Sequence, residues 1–257
     1  MISNGNSDFP ASELSVDDLF GYSIAHIGDI NEDGMPEVLV GAPGASDSAG
    51  AEKGALFILS LRRPNASVGS FLRVSSTTSQ TLGSLQGNMS DLGASIGVLG
   101  NDRDSSAITV AVGAHNDNSD FDNIGAGVVF VIRLRTSPSF FASPTPSPIP
   151  TPTPSVSPSP SPAAPGTVIR SVRIADGAGG FPSNVLDAGG QLGARIQSVG
   201  DLDGDGVVDV AAHAIEDDDS ATKNGAMYVL FLNANGTVKD YQKISATQGG
   251  ADIESHI

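Results

Sequence analysis

The chain has 257 residues, of which 39% are hydrophobic and 5% aromatic, and this apolar content is enough to bury a core. The formal net charge of −16 argues against a nucleic acid partner, because it repels a phosphate backbone. The acidic side chains that cause this charge supply oxygen ligands for hard cations. The absence of cysteine excludes disulfides, thiolate metal sites and cysteine nucleophiles. The 31 glycines favour short strands joined by tight turns over helices.

An internal repeat organises the chain. Three segments align without gaps, beginning with Phe-Gly at 20–21 and Leu-Gly at 92–93 and 192–193. A second glycine follows eight positions after the Phe or Leu, and 13 positions further on stand Gly41, Gly113 and His213. The unit is about 70 residues long, and such a period indicates a repeat architecture.

Each unit is predicted to contain four short strands. They fall at 22–27, 37–40, 54–61 and 71–75; at 94–99, 108–112, 127–134 and 168–174; and at 194–199, 207–212, 226–232 and 238–244. Repeated four-stranded antiparallel sheets predict an all-β fold made of β-propeller blades. Propellers close with about 4 to 8 blades, so three blades predict an incomplete or open propeller. We expect the chain to be a fragment, with missing sequence supplying the rest of the propeller.

The repeat sets the predicted domain boundaries. These are a first blade at 1–75, the first three strands of a second blade at 76–136, an insertion at 137–166, the fourth strand of that blade at 167–174, a third blade at 175–244 and the start of a truncated fourth repeat at 245–257. The insertion carries 11 of the 16 prolines in Ser-Pro and Thr-Pro steps, a composition typical of disordered, extended polyproline. It is interpreted as a solvated spacer, with a docking site for a proline-binding domain as the alternative.

Two Asp-rich loops carry the clearest chemistry, one at 29–37 and one at 201–209. Each has side-chain oxygens at its first, third and fifth positions, glycine at the sixth, a backbone carbonyl at the seventh and a carboxylate at the ninth, which is a pattern that wraps Ca²⁺. The predicted ligands are Asp29, Asn31, Asp33, the Met35 carbonyl and Glu37, and Asp201, Asp203, Asp205, the Val207 carbonyl and Asp209. The sequence therefore predicts two structural Ca²⁺ sites, and it excludes an EF-hand because the twelfth positions are Val40 and Ala212.

Two further polar segments are interpreted differently. In the second unit, the positions equivalent to the ligands are Asn101, Arg103, Ser105 and Thr109, with Ser106 at the place of the glycine, so we expect no metal there. The acidic run at 216–219 is interpreted as a solvated loop, with an extra cation site as the alternative.

The combined motifs resemble a known family. Phe-Gly at 20–21, the Asp-x-Asn-x-Asp-Gly-x-x-Glu loop at 29–37 and Gly-Ala-Pro at 41–43 are similar to the FG-GAP repeat, the blade unit of the integrin α-subunit amino-terminal propeller and of many bacterial surface proteins. The resemblance implies a seven-bladed propeller with Ca²⁺ between the first two strands of a blade, and it implies cell adhesion for complete members. Leucine replaces phenylalanine at 92 and 192, and the third unit lacks the Gly-Ala-Pro motif.

The functional expectation is a non-enzymatic binding module. No catalytic motif is present, and the four histidines are spread over different units. We expect an extracellular or cell-surface module that binds a protein or glycan and does not insert into a membrane, since loops of this type fill where free calcium is about millimolar. The alternatives are an accessory propeller domain of a secreted enzyme and a structural spacer.

Overall fold

The structure is a computed structural model. It describes residues 9, 13–46, 53–75, 91–101, 106–117, 125–136, 165–217 and 224–249. The insertion at 137–166 lies outside these residues apart from 165 and 166, and the segment at 245–257 lies outside them apart from 245–249. In the described ranges, no helix is long and apolar enough to cross a membrane.

The described residues form three four-stranded sheets and no helix. The first sheet contains β1 (Ser23–His26), β2 (Glu37–Ala42), β3 (Ala55–Arg62) and β4 (Ser67–Val74). The second contains β5 (Ser95–Asn101), β6 (Ala107–Ala114), β7 (Val128–Arg135) and β8 (Val168–Ile174). The third contains β9 (Leu192–Gly200), β10 (Asp209–Ala214), β11 (Ala226–Leu232) and β12 (Val238–Ile244). Strands pair antiparallel in chain order within each sheet, which confirms the predicted all-β class of four-stranded blades.

For two of the predicted strands, the structure shows why the observed start differs from the predicted one. The strand predicted at 71–75 is β4, which begins at Ser67, because the pairing with β3 continues past a register shift between Ser60 and Leu61. The strand predicted at 207–212 is β10, which begins only at Asp209, because Val207 and Val208 belong to the preceding loop. The remaining strand ends agree with the prediction to within two residues.

The second sheet lies between the first and the third. Leu39, Leu56 and Ile58 of the first sheet share one core cluster with Val110 and Val112 of the second. The opposite face of the second sheet, which includes Ala111, Val129 and Val131, shares another cluster with Val210, Ala212 and Leu230 of the third. The sheets therefore stack face to face, as blades do, and the three described sheets do not close into a ring.

Side chains on the first strands also join neighbouring sheets. The Ser23 hydroxyl donates to the Gly93 carbonyl at 2.6 Å, and the Ser95 hydroxyl donates to the Gly193 carbonyl at 2.5 Å. Both acceptors belong to the Leu-Gly pair that opens the next unit of the repeat. The hydrogen bond therefore repeats at both sheet junctions and fixes the start of each following blade.

The outer face of the first sheet is only partly covered. Phe9 packs against Phe20, Phe57 and Phe71, with ring centroids 4.9 to 5.8 Å apart. Beside this cluster, an apolar groove of about 290 Å³ is lined by Phe20, Gly21, Ile24, Val38, Val40, Leu59 and Leu61. Val38 and Val40 stand at the repeat positions that Val110 and Val112 use to pack on the first sheet.

Candidate metal-binding loops

Each Asp-rich loop connects the first two strands of its sheet. The first loop runs from β1 to β2, and the loop of the third sheet runs from β9 to β10. Both therefore lie at the same end of the strands in their sheets. In the first loop the chain reverses through Glu32 (φ 61°) and Gly34 (φ 83°), and in the other through Gly204 (φ 79°) and Gly206 (φ 86°). Glycine adopts this left-handed conformation without steric cost, which explains its place in the motif.

Backbone amides organise the carboxylates of the first loop. Asp29 accepts hydrogen bonds from the amides of Asp33 (3.1 Å) and Gly34 (2.8 Å). Asp33 accepts one from the amide of Met35 at 2.8 Å. Glu37, which is buried, accepts one from the amide of Ile30 at 2.8 Å. The loop is thus wrapped around its own acidic side chains.

The third-sheet loop repeats this pattern bond for bond. Asp201 accepts from the amides of Asp205 (3.1 Å) and Gly206 (2.8 Å), and Asp205 accepts from the amide of Val207 at 2.8 Å. Asp209, which is fully buried, accepts from the amide of Leu202 at 2.9 Å. Two stretches that differ at most side chains therefore adopt one loop geometry, as their spacing predicts.

Three carboxylates converge in the third-sheet loop. One oxygen each from Asp201, Asp203 and Asp209 lies within 4.8 Å of the others. Such a cluster of hard oxygen donors on a tight loop suits Ca²⁺, which takes six to eight oxygen ligands. The donor set therefore fits the metal.

Asp205, the fourth predicted carboxylate of this loop, is turned toward a lysine. Lys239 on β12 lies 2.6 Å from an Asp203 oxygen and also contacts Asp205. These contacts raise the pKa of Lys239, and the hydrogen bond from Lys239 is the main cause that lowers the pKa of Asp205. The structure thus balances two carboxylates of this loop with an internal cation that the sequence reasoning missed.

In the first loop an amide group takes the central position. The Asn31 side-chain nitrogen donates to Glu37 at 2.9 Å, to Asp33 at 3.1 Å and to the Ser60 hydroxyl at 3.2 Å. Burial is the main cause that raises the pKa of Glu37, followed in the same direction by the charge of Asp33. A cation held among these oxygens would oppose both effects, and rotating the Asn31 amide by half a turn would present its oxygen instead.

The two predicted carbonyl ligands lie in the expected turns. Met35 and Val207 each follow the glycine of the loop, and their amides bond to Asp33 and Asp205. Both side chains are half-buried.

The equivalent loop of the second sheet falls mostly outside the described residues. Positions 102–105 are not described, so the expectation that Arg103 and Ser105 replace a metal site stays a prediction. Asn101 ends β5 and Thr109 lies within β6, where it pairs with Gly100.

The acidic run at 216–219 contains a buried residue, and the solvated-loop interpretation is wrong for Asp217. Its side chain is fully buried, accepts a hydrogen bond from the Tyr228 hydroxyl at 2.8 Å and pairs with Lys243 at 2.5 Å. Asp117 in the second sheet occupies the same repeat position, is buried, and faces Arg173 at 3.6 Å. Both acids stand four positions after the Gly113 or His213 site, so the repeat alignment contained the signal.

Comparison with known proteins agrees with this geometry. The family model of the FG-GAP repeat matches residues 20–59, which span β1, the first Asp-rich loop, β2 and most of β3. A search of curated proteins found no match to the chain. Residues 20–59 therefore match the FG-GAP repeat, and the three four-stranded antiparallel sheets of the described residues, which do not close, are consistent with incomplete propeller blades of this type.

Proposed function

We propose that this chain is a calcium-binding, non-enzymatic propeller module of an extracellular or surface protein, and that its blades bind a protein or glycan in adhesion. Ca²⁺ is structural in this proposal and holds the loops that connect the first two strands of the first and third sheets. The observation that carries it is the convergence of Asp201, Asp203 and Asp209 within 4.8 Å. Three carboxylates at this separation repel one another, and a divalent cation removes that cost.

The shared hydrogen-bond pattern supports a second site in the first loop. Backbone amides at equivalent loop positions hold Asp29, Asp33 and Glu37 and their counterparts in the third sheet. Location outside cells follows from the calcium chemistry, since extracellular modules with such loops work at about millimolar calcium.

We also propose that another blade covers the groove on the outer face of the first sheet. The groove presents Val38 and Val40, whose equivalents in the second sheet are buried against a neighbouring blade. An apolar sheet face of this kind is stable when another sheet packs on it.

Calorimetric titration of the chelated chain with Ca²⁺ tests the calcium sites. We expect two sites, and a melting temperature that rises with calcium because a ligand of the folded state stabilises it. Asp29→Asn and Asp201→Asn should each weaken one site, while Asp240→Asn, an exposed change on β12, should weaken neither. A folded chain that neither binds calcium nor changes its melting temperature would refute the proposal.

A further inference from the structure

In each sheet, one row of paired residues lies at the junction with the following blade. The row takes one residue from each of the first three strands, and these residues share a face because they are directly opposite one another. We call it the junction row. It consists of Ser23, Gly41 and Leu56 in the first sheet, Ser95, Gly113 and Val129 in the second, and Arg195, His213 and Met227 in the third. The third sheet therefore departs from the Ser-Gly pair of the other two.

Glycine in the junction row lets the next blade approach closely. A Cβ built on Gly41 would lie 2.0 Å from the Gly93 carbonyl oxygen, and one built on Gly113 would lie 1.9 Å from that of Gly193. At both junctions the serine of the row donates its hydroxyl to the same carbonyl. A blade junction of this geometry therefore requires glycine, which has no Cβ, opposite a short hydroxyl side chain.

His213 puts a side chain at the glycine position of the third sheet. Its imidazole extends toward Gly225, because a Cβ built on Gly225 would lie 3.3 Å from the His213 Nε2. In the other two sheets, the equivalent Gly54 and Gly127 meet the backbone of the leucine that opens the next unit, with its carbonyl oxygen 2.3 Å from the built Cβ in both cases. The imidazole therefore lies in the direction from which the next unit would approach.

Arg195 stands at the serine position of the junction row. Its side chain is exposed, and Nη1 donates to the carbonyl of Ala194 at 2.9 Å. A guanidinium is too large for the space that a serine hydroxyl fills between two closely packed blades. Beside it, Met227 is 38% exposed, whereas its counterparts in the other two sheets are fully buried. In the part of the third sheet that the structure describes, the junction row thus has neither the glycine nor the hydroxyl that admits a following blade.

The groove on the first sheet presents the other half of such a junction. Gly21 lines this groove, and it is the repeat equivalent of Gly93 and Gly193, whose carbonyls accept the serine hydroxyls. A sheet that packs on the groove in the same geometry therefore needs glycine, with a hydroxyl residue opposite, in its own junction row. The third sheet of this chain does not meet that requirement.

We propose that the groove of the first sheet binds a blade with a Ser-Gly pair in its junction row, and that Arg195 and His213 prevent the third sheet of a second copy from taking that place. The inference rests on the proposed cover of the groove by another blade, and it names the kind of blade. Without this block the two ends of the stack would match, and copies of the chain would join head to tail into rings or open filaments. The groove thus remains open to a blade other than the chain's own third sheet.

Two variants of the full chain that differ by one methyl group test this inference. Arg195→Ser with His213→Gly, the Ser-Gly variant, recreates the pair of the other junctions, whereas Arg195→Ser with His213→Ala, the Ser-Ala variant, keeps a Cβ there. Sedimentation velocity over a concentration series measures self-association. We expect the wild type and the Ser-Ala variant to remain monomeric. The Ser-Gly variant should associate at least about tenfold more tightly, a change that one hydrogen bond to the Gly21 carbonyl accounts for.

A third change identifies the surface that the Ser-Gly variant uses. Adding Val38→Lys to this variant places a charge in the groove, so the chain should again be monomeric. Association that persists with Val38→Lys would place the contact outside the groove, and it would overturn the proposed cover of the groove as well.

Three further results overturn this inference alone. They are a wild type that associates until Val38→Lys is introduced, a folded Ser-Gly variant that stays monomeric, and a Ser-Ala variant that associates as tightly as the Ser-Gly variant. Circular dichroism establishes that each variant is folded. The melting temperature of the same samples is measured with calcium and with chelator, so failure of the junction is distinguished from failure of the calcium sites.

Discussion

The Gly93 carbonyl oxygen lies so close to Gly41 that a Cβ built on Gly41 would stand 2.0 Å from it. The junction between the second and third sheets repeats this contact, with Gly113 and the Gly193 carbonyl at 1.9 Å. The glycine that opens one unit of the repeat thus packs on the glycine near the end of the preceding unit's second strand. This contact explains why the repeat has glycine both after the Phe or Leu that opens a unit and near the end of the second strand.

The contact predicts that Gly41→Ala destabilises the chain. The new methyl group would meet backbone atoms, which cannot move aside as a side-chain end can, so we expect a loss of about 3 kcal/mol in the free energy of unfolding. Urea denaturation measures it. Gly69→Ala on β4 is the matched control, because its Cβ meets only the flexible side chain of Arg62 and its cost should be small. Equal costs for both variants would contradict the role of the glycine contact.

The repeat predicted most of the fold because its signals are local. Alternating apolar residues and Gly-rich turns located all 12 strands, and the spacing of oxygen donors located both loops. Val207 was misassigned to a strand because it is β-branched, although its amide is committed to Asp205 within the loop.

Residues that meet only in the folded chain could not be found in this way. Lys239 is 34 positions from Asp205, and no local pattern ties a lysine on the fourth strand to that loop. Asp217 was placed in a solvated run because its neighbours are acidic, whereas its partners Tyr228 and Lys243 come from two other strands. Aligning the units of the repeat would have distinguished Asp217 from its acidic neighbours, because Asp117 stands at the same position of the second unit.

The buried pair of Asp217 and Lys243 predicts a large cost for removing the lysine. Lys243→Met leaves the fully buried Asp217 carboxylate without its cation, and we expect a loss of about 3 kcal/mol in the free energy of unfolding. Combining it with Asp217→Asn should recover part of this loss, because the uncompensated charge is removed. Urea denaturation of the three variants gives the coupling, and a cost below about 1 kcal/mol for Lys243→Met, the level of an exposed pair, would contradict it.

Tyr228 predicts a dependence of stability on alkaline pH. Burial, followed by the hydrogen bond to Asp217, raises the pKa of its hydroxyl. Tyrosine in the unfolded chain titrates near 10, so the contribution of Tyr228 to stability is complete below about pH 10 and is lost as pH rises above it. Tyr228→Phe should flatten this fall in unfolding free energy between pH 9 and 11, a window about one unit either side of that value. Tyr22→Phe, at a side chain that is 51% exposed, should leave the fall unchanged, and an identical effect of both variants would argue against the assignment.

Asn31 predicts how the first loop responds to an added charge. Asn31→Asp adds a carboxylate beside Asp33 and Glu37 and removes three hydrogen bonds donated by the amide. We expect a lower melting temperature in chelated buffer, because of repulsion, and tighter calcium binding, because affinity rises with ligand charge. Asn65→Asp, in the turn before β4, is the control and should change neither. A variant with a lower melting temperature in both conditions and no gain in affinity would rule out a cation at this place.

Lys239 predicts that the third-sheet loop binds calcium against an internal competitor. Calcium must draw Asp203 and Asp205 away from the lysine, so Lys239→Met should tighten calcium binding by a few-fold at this loop and leave the loop of the first sheet unchanged. Lys53→Met, which removes the same charge far along the chain from the loop, controls for net charge. Site-resolved NMR titration separates the two loops.

Because the lysine is exposed in part, added salt screens its ion pairs, and the difference in calcium affinity between wild type and Lys239→Met should shrink as ionic strength rises. Weaker calcium binding in Lys239→Met would show instead that the lysine supports the loop, and that calcium binds without displacing it.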